Sequence, residues 1–61
     1  MTIRDLVEKV ESEWELVGYS TEEDEYTTIP MDEAEAYYDY SVASFYVPDG
    51  NCVIVIEFYL D

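Results

Sequence analysis

The chain has 61 residues, a formal net charge of -14 and 16 acidic residues against 2 basic ones, so it is long enough for one small domain and too short for two lobes around a deep cleft. A single cysteine excludes an internal disulfide and a thiolate zinc cluster, and the acidity disfavours binding to bare nucleic acid or to an anionic membrane. Hydrophobic residues make up 49% of the chain and aromatic residues 16%, which favours a folded domain over a disordered acidic tail.

The first predicted element is an amphipathic helix over residues 2 to 12. Thr2 and Asp5 have the spacing of a capping box, with Asp in the place usually taken by Glu. The same segment is charged and periodic, unlike a signal peptide, and no stretch of the chain is apolar enough to predict a membrane span. Apolar residues recur at helical spacing, and both cations have an acidic neighbour four residues away: Ile3, Leu6, Val7, Val10 and Trp14 on one side, Arg4 with Glu8 and Asp5 with Lys9 on the other.

Two short strands and a helical turn are expected to follow the helix. The segment "WELVGY", residues 14 to 19, has the aromatic and β-branched residues typical of a strand, with Gly18 marking a bulge or bend. After a turn at "STEED", the segment "EYTTI" returns as a second strand that ends before a proline. Asp32 lies three residues before Glu35, and this spacing predicts a short capped helical turn over residues 31 to 38.

The last predicted element is a β-hairpin. The segments "SVASFYV" and "CVIVIEFYL" flank "PDGN", in which proline and an Asp-Gly pair favour a tight turn. Side chains of the final strand alternate between two faces, and we expect one face to pack against the N-terminal helix. The other face is too apolar to be fully exposed, so we expect the middle segment, a second copy or a partner to cover it. The first face carries Cys52, Ile54, Ile56, Phe58 and Leu60, and the second carries Val53, Val55, Glu57 and Tyr59.

These elements predict one α+β domain over residues 1 to 61: an N-terminal amphipathic helix packed on an antiparallel sheet of three or four strands, with a short second helical turn. Paired carboxylates catalyse reactions only inside a substrate cleft, for which so short a chain has little room, so we expect no enzyme activity. The acidic segments "EEDE" and "DGN" lack the ligand spacing of an EF-hand, so we expect neither a metal site nor a cofactor. Cys52 has no cation nearby in sequence to activate its thiol, so we expect it to pack as a small apolar residue.

The segment with the most chemical information is "YSTEEDEYTTIPMDEAEAYYDY", residues 19 to 40, which holds eight carboxylates and five tyrosines without a cation. Charge runs are usually solvated surface, but here the crowded charge destabilises the compact state by self-repulsion, which a partner with a basic groove would relieve. We therefore expect this surface to bind a basic nucleic-acid-binding protein, with carboxylates in place of phosphates and tyrosines in place of bases or sugars. The expected contact residues are Glu22, Glu23, Asp24, Glu25, Asp32, Glu33, Glu35 and Asp39 for charge, with Tyr37, Tyr38 and Tyr40 as anchors.

The chain resembles the small acidic inhibitors encoded by phages and mobile elements, which include DNA-mimic antirestriction proteins, inhibitors of uracil-DNA glycosylase and anti-CRISPR proteins. The resemblance covers size, charge and the order of a helix followed by strands, and the opening "MTIRDLVEKVE" looks like the start of some small inhibitors of type II CRISPR nucleases. It implies a protein of the bacterial cytoplasm that blocks a nucleic-acid enzyme, a CRISPR nuclease first of all, without catalysis of its own. The alternative is a small structural or regulatory module that forms a homodimer through Val53, Val55 and Tyr59.

Overall fold

Two β-hairpins lie side by side in one sheet and form the framework of the fold. The computed structural model describes residues 1 to 50 and 52 to 61. Within each hairpin the strands are antiparallel, whereas the two central strands, one from each hairpin, run parallel. The strands are β1 (Glu13–Ser20), β2 (Glu25–Ile29), β3 (Ser44–Tyr46) and β4 (Val53–Tyr59), in the spatial order β2-β1-β4-β3.

The predicted α+β class with four strands is confirmed, and the two hairpins are antiparallel as expected. The central pair differs, because residues 30 to 43 carry the chain back along the sheet before β3 begins, which brings β4 beside β1 in the same direction. A parallel pair needs a long crossover connection instead of a tight turn. No local sequence signal marks such a connection, so the sequence predicts pairing between neighbouring strands only.

Helix α1 spans Ile3–Val7 and begins with the predicted capping box. The Asp5 amide donates to Thr2 Oγ1, and the Thr2 amide donates to the Asp5 carboxylate, both at 3.2 Å. The hydrogen bond that the Thr2 amide donates to the Asp5 carboxylate, followed by the interaction of the Thr2 hydroxyl with that carboxylate, lowers the pKa of Asp5. The predicted range of residues 2 to 12 was too long: the helix ends at Val7, because the chain must reach the start of β1 and this tertiary demand overrides the helical pattern.

The segment between β2 and β3 crosses the same face of the sheet as α1. Its 3₁₀ helix, Met31–Tyr37, confirms the predicted helical turn, but the predicted cap from Asp32 and Glu35 is wrong. Pro30 is the N-cap residue and makes no side-chain cap hydrogen bond. Backbone hydrogen bonds tie this segment to the N-terminus: the amides of Ile3 and Arg4 donate to the carbonyls of Tyr40 and Tyr38, at 2.9 and 3.0 Å, and the Val42 amide donates to the Met1 carbonyl at 2.9 Å.

The core lies between this face of the sheet and the two helices. Ile56 and Phe58 of β4 are fully buried, and Ile54 and Leu60 pack at the edge of the same cluster, which confirms the predicted inner face of the last strand. Ala34 of the 3₁₀ helix belongs to this cluster, so the middle segment packs on the helix side and not on the opposite face of the sheet. The other buried residues of the cluster are Ile3, Leu6, Leu16 and Ile29.

The second hairpin is confirmed, but its ends differ from the prediction. β3 is shorter than "SVASFYV", and Cys52 is exposed instead of packed, because it precedes β4 and lies outside the sheet. Gly50 has a φ of 79°, which explains the glycine in the predicted turn, while Asn51 of that turn lies outside the described residues. No helix in the described part of the chain is both long and apolar enough to cross a membrane.

Gly18 allows close packing inside β1. The strand pairs continuously through Gly18, with Thr27 on one side and Phe58 on the other, so the predicted bulge or bend is wrong. A Cβ at this position would lie 2.7 Å from the Cγ atom of Leu60. A side chain at position 18 would therefore force the Leu60 side chain to move.

We expect replacement of Gly18 by valine to destabilise the domain by about 1 to 3 kcal/mol, the usual cost of overpacking. Urea unfolding followed by circular dichroism measures the loss. Leu60→Ala in the same chain frees the space, so the double variant should lose less than the sum of the two single changes. Additive losses would mean that the Leu60 side chain does not restrict position 18.

Candidate functional site

The first carboxylate patch comprises the turn between β1 and β2 and the first residue of β2, and we call it the acidic turn: Glu22, Glu23, Asp24 and Glu25. All four residues are exposed. Asp61 holds the base of this turn, because its carboxylate accepts hydrogen bonds from the Thr21 amide at 3.2 Å, the Thr21 hydroxyl at 2.9 Å and the Glu22 amide at 3.4 Å. These bonds, led by that from the Thr21 amide, lower the pKa of Asp61. Asp61 thus fixes the start of the turn.

Tyr19 fixes the other side of the acidic turn. Its hydroxyl donates to the Asp24 carboxylate, and Asp24 has a φ of 52°, which shapes the turn. The hydrogen bond to Asp24 raises the pKa of Tyr19 to about 12, since ionising the phenol would remove the donor and place two negative charges together. The hydrogen bond between Tyr19 and Asp24 stabilises the fold below pH 10. This contribution to the free energy of unfolding is lost as the pH rises towards 12.

We expect Tyr19 to titrate at about 12 in the native protein, with a lower pKa when Asp24 is changed. Asp24→Asn keeps a neutral acceptor, and Asp24→Gly removes the acceptor while tolerating the same positive φ. The pKa of Tyr19 should therefore fall in the order native, Asn, Gly, towards 10.0. Carbon-13 NMR of the labelled tyrosine rings measures it, and an unchanged value in the glycine variant would contradict the Asp24 hydrogen bond.

The second carboxylate patch lies on the 3₁₀ helix, which we call the helical patch: Asp32, Glu33 and Glu35, all exposed. β2 separates the two patches, and its four residue steps of about 3.3 Å place Ile29 about 13 Å from Glu25. The structure therefore places the patches near opposite ends of one edge strand, beyond a Debye length of about 8 Å at physiological salt.

Asp39 differs from the other predicted contact residues because it is paired. Its carboxylate lies 3.4 Å from Arg4 Nη2, and the guanidinium also lies over the Tyr38 ring, 5.9 Å from its centroid. This is the single ion pair among the described residues, and both side chains are exposed, so it contributes little to stability. The ion pair partly neutralises the negative charge of Asp39, unlike the carboxylates of the two patches. It also occupies Arg4, the one arginine of the chain.

The predicted tyrosine anchors pack against the core. Tyr37 and Tyr40 contact Phe58, with ring centroids 5.2 and 5.5 Å apart, and each other at 5.3 Å. Tyr37 and Tyr38 are half-buried, and Tyr40 is 39% exposed. Much of the surface of these rings therefore holds the segment between β2 and β3 against the core. That surface is not free to contact a partner.

The face of the sheet opposite the helices carries a group of aromatic residues whose proximity the sequence did not predict. Tyr26, Tyr19 and Tyr59 stand in register across β2, β1 and β4, and we call them the tyrosine row. The ring centroid of Tyr19 lies 4.8 Å from that of Tyr26 and 5.9 Å from that of Tyr59. Tyr26 is 64% exposed and Tyr59 53%. The alternation along β4 already predicted that Tyr59 faces away from the core; the contributions of β1 and β2 depend on the strand register.

An open groove of about 340 Å³ adjoins the tyrosine row. Glu57 lies in it between Tyr59 and β3, and the Ser44 hydroxyl donates to Glu57 Oε1 at 2.8 Å. The same face carries Glu13 and Glu15 near the start of β1, in register with Val53 and Val55. This sheet face therefore carries both carboxylates and phenol rings, a composition suited to a cationic ligand.

The described residues contain no metal-binding cluster and no buried polar or charged residue. Within residues 1 to 50 and 52 to 61, no three carboxylate or thiol groups come together in a way that could hold a metal ion. No polar or charged residue in this part of the chain is buried. No protein-family model matches the chain, and neither a curated protein nor a solved structure is significantly similar to it.

Proposed function

We propose that this protein is a non-enzymatic inhibitor that imitates the charge of DNA and occupies the basic nucleic-acid-binding groove of a bacterial defence or repair enzyme, with a CRISPR nuclease as the first target to test. The observation that carries this proposal is the state of the carboxylates: all those in the described residues remain at the surface, and one of them is paired with a cation. Natural surfaces usually intersperse charges of both signs.

The arrangement of the two patches supports mimicry over incidental acidity. The acidic turn is held by Asp61 and Tyr19, so its carboxylates are presented on a fixed loop that loses little conformational freedom on binding. The helical patch lies at the other end of β2, so negative charge spans the edge of the sheet. A basic groove that contacts both ends would release its condensed counterions, as it does when it binds DNA.

The alternative function, a regulatory module that dimerises through the open sheet face, has one observation in its favour. Tyr59 and Tyr26 expose more than half of their surface on that face, although Val55 is already buried by its neighbours. Dimerisation would bring two chains of charge -14 together, which opposes it at low salt. Apolar dimerisation should therefore persist or strengthen as salt rises, whereas binding to a basic partner should weaken.

A pull-down from bacterial lysate at low salt tests the proposal. Proteins retained by the immobilised chain are eluted with a salt gradient, and a parallel sample is challenged with duplex DNA. We expect the retained proteins to be nucleic-acid-binding proteins that elute at moderate salt and that duplex DNA displaces. Retained partners that DNA does not displace would contradict mimicry, and a salt-resistant homodimer would support the alternative module.

A further inference from the structure

Building on the proposed function, we propose that the open sheet face binds an arginine side chain of the partner, which stacks in the groove beside Tyr26, Tyr19 and Tyr59 and pairs with Glu57. The groove has a volume of about 340 Å³, open to solvent and lined by these phenol rings, Ser44 and Glu57. A cation over the face of a tyrosine ring is attracted by the ring quadrupole, and a nearby carboxylate strengthens the attraction.

Arginine fits this groove better than lysine does. A guanidinium is planar, stacks on aromatic rings and donates two parallel hydrogen bonds to one carboxylate, whereas an ammonium is a compact and strongly hydrated point charge. Ser44 holds Glu57 Oε1 by a hydrogen bond of 2.8 Å, so the carboxylate is oriented before any ligand arrives. The tilted pair of Tyr19 and Tyr26, with 43° between their planes, offers ring faces at two angles for the same planar group.

Charge complementarity assigns the ligand to a basic partner and not to a second copy of this chain. Arg4 is the one arginine of the sequence. It lies on α1, on the other side of the sheet from the groove, and it contacts Asp39 and Tyr38 there. A second copy would bring a further charge of -14 towards Glu13, Glu15 and Glu57. A DNA-binding groove, by contrast, is lined with lysines and arginines, and this face can accept one of the arginines.

Single-stranded nucleic acid is the other class of ligand that stacks on a row of exposed rings. Proteins that bind it combine such rings with a positively charged groove that follows the backbone. Here the charged residues of the open sheet face are Glu13, Glu15 and Glu57, with no cation among the described strand residues. Phosphates would meet carboxylates, so the arrangement favours a guanidinium over a base.

The test compares nona-arginine with nona-lysine, two peptides of equal charge, by isothermal titration and by amide NMR shifts of the labelled protein at low salt. We expect the arginine peptide to bind about threefold to tenfold more tightly and to shift the amides around Tyr26, Ser44, Glu57 and Tyr59. Tyr26→Ser with Tyr59→Ser should abolish this preference while leaving the charge-driven binding of both peptides. Oligothymidylate should not bind.

Two matched controls separate the groove from the general acidity. Phe45→Ser removes an exposed aromatic residue from the opposite face of the sheet and should leave the arginine preference unchanged. Glu33→Gln removes the same charge as Glu57→Gln but from the helical patch. It should weaken binding of the arginine peptide less than Glu57→Gln does. Equal binding of the two peptides, or equal effects of the two Gln variants, would overturn the arginine site and leave mimicry by the patches standing. Absence of binding by either peptide would overturn both, and binding of oligothymidylate would assign the face to nucleic acid instead.

Discussion

Replacement of Phe58 by alanine is expected to remove a large part of the domain's free energy of unfolding at room temperature. Phe58 is fully buried on β4, and the rings of Tyr37 and Tyr40 pack against it at 5.2 and 5.5 Å. A buried Phe→Ala change costs about 3 to 5 kcal/mol through lost burial and the cavity that remains. Stability of about 0.05 to 0.15 kcal/mol per residue gives this chain a total of the same order, about 3 to 9 kcal/mol.

The second phenylalanine of the chain supplies the control. Phe45 lies on β3, is 55% exposed and contributes no buried ring to the core. Phe45→Ala should change the free energy of unfolding by less than about 1 kcal/mol, although the residue type and the substitution are the same. Circular dichroism during urea unfolding measures both variants. Similar losses from the two substitutions would show that the core is not organised around Phe58.

Local patterns in the sequence predict the local parts of the fold. The Thr2–Asp5 capping box and the inner face of β4 follow from spacing over a few residues, and the structure confirms both. The helical segment after Pro30 follows in the same way, although its predicted side-chain cap does not form. The short length of α1 and the parallel pairing of β1 with β4 could not be predicted, because both depend on contacts between residues distant in the chain.

In the candidate site too, features set by local sequence could be predicted and features set by contacts between distant residues could not. Exposure of the two carboxylate patches follows from charge, and the structure keeps every predicted acidic contact residue at the surface. The tyrosines nearest to those acids in sequence, Tyr37 and Tyr40, turn towards Phe58 instead, because the crossing segment needs apolar contacts to stay on the sheet. The exposed tyrosine row is assembled from three strands. A row of this kind can be identified only when the register of all three strands is known.

Neutralising both carboxylate patches is expected to produce the largest loss of binding to a partner that duplex DNA displaces. Glu22, Glu23 and Glu25 are changed to Gln in one variant, with Asp24 kept because it holds Tyr19. In the other, the helical patch is changed to amides through Asp32→Asn, Glu33→Gln and Glu35→Gln. At about 0.5 kcal/mol for each exposed charge, either set should weaken binding about tenfold.

The two losses should add, because β2, about 13 Å long from Glu25 to Ile29, separates the patches by more than a Debye length at physiological salt. The combined variant should therefore bind about a hundredfold more weakly, mainly through slower association, which surface plasmon resonance resolves. A control with Glu8, Glu11 and Asp49 changed to amides removes the same net charge from other exposed positions and should have little effect. If the control weakens binding as much as either patch does, the partner senses total charge and not two defined patches. If one patch can be neutralised without loss, that end of β2 lies outside the interface.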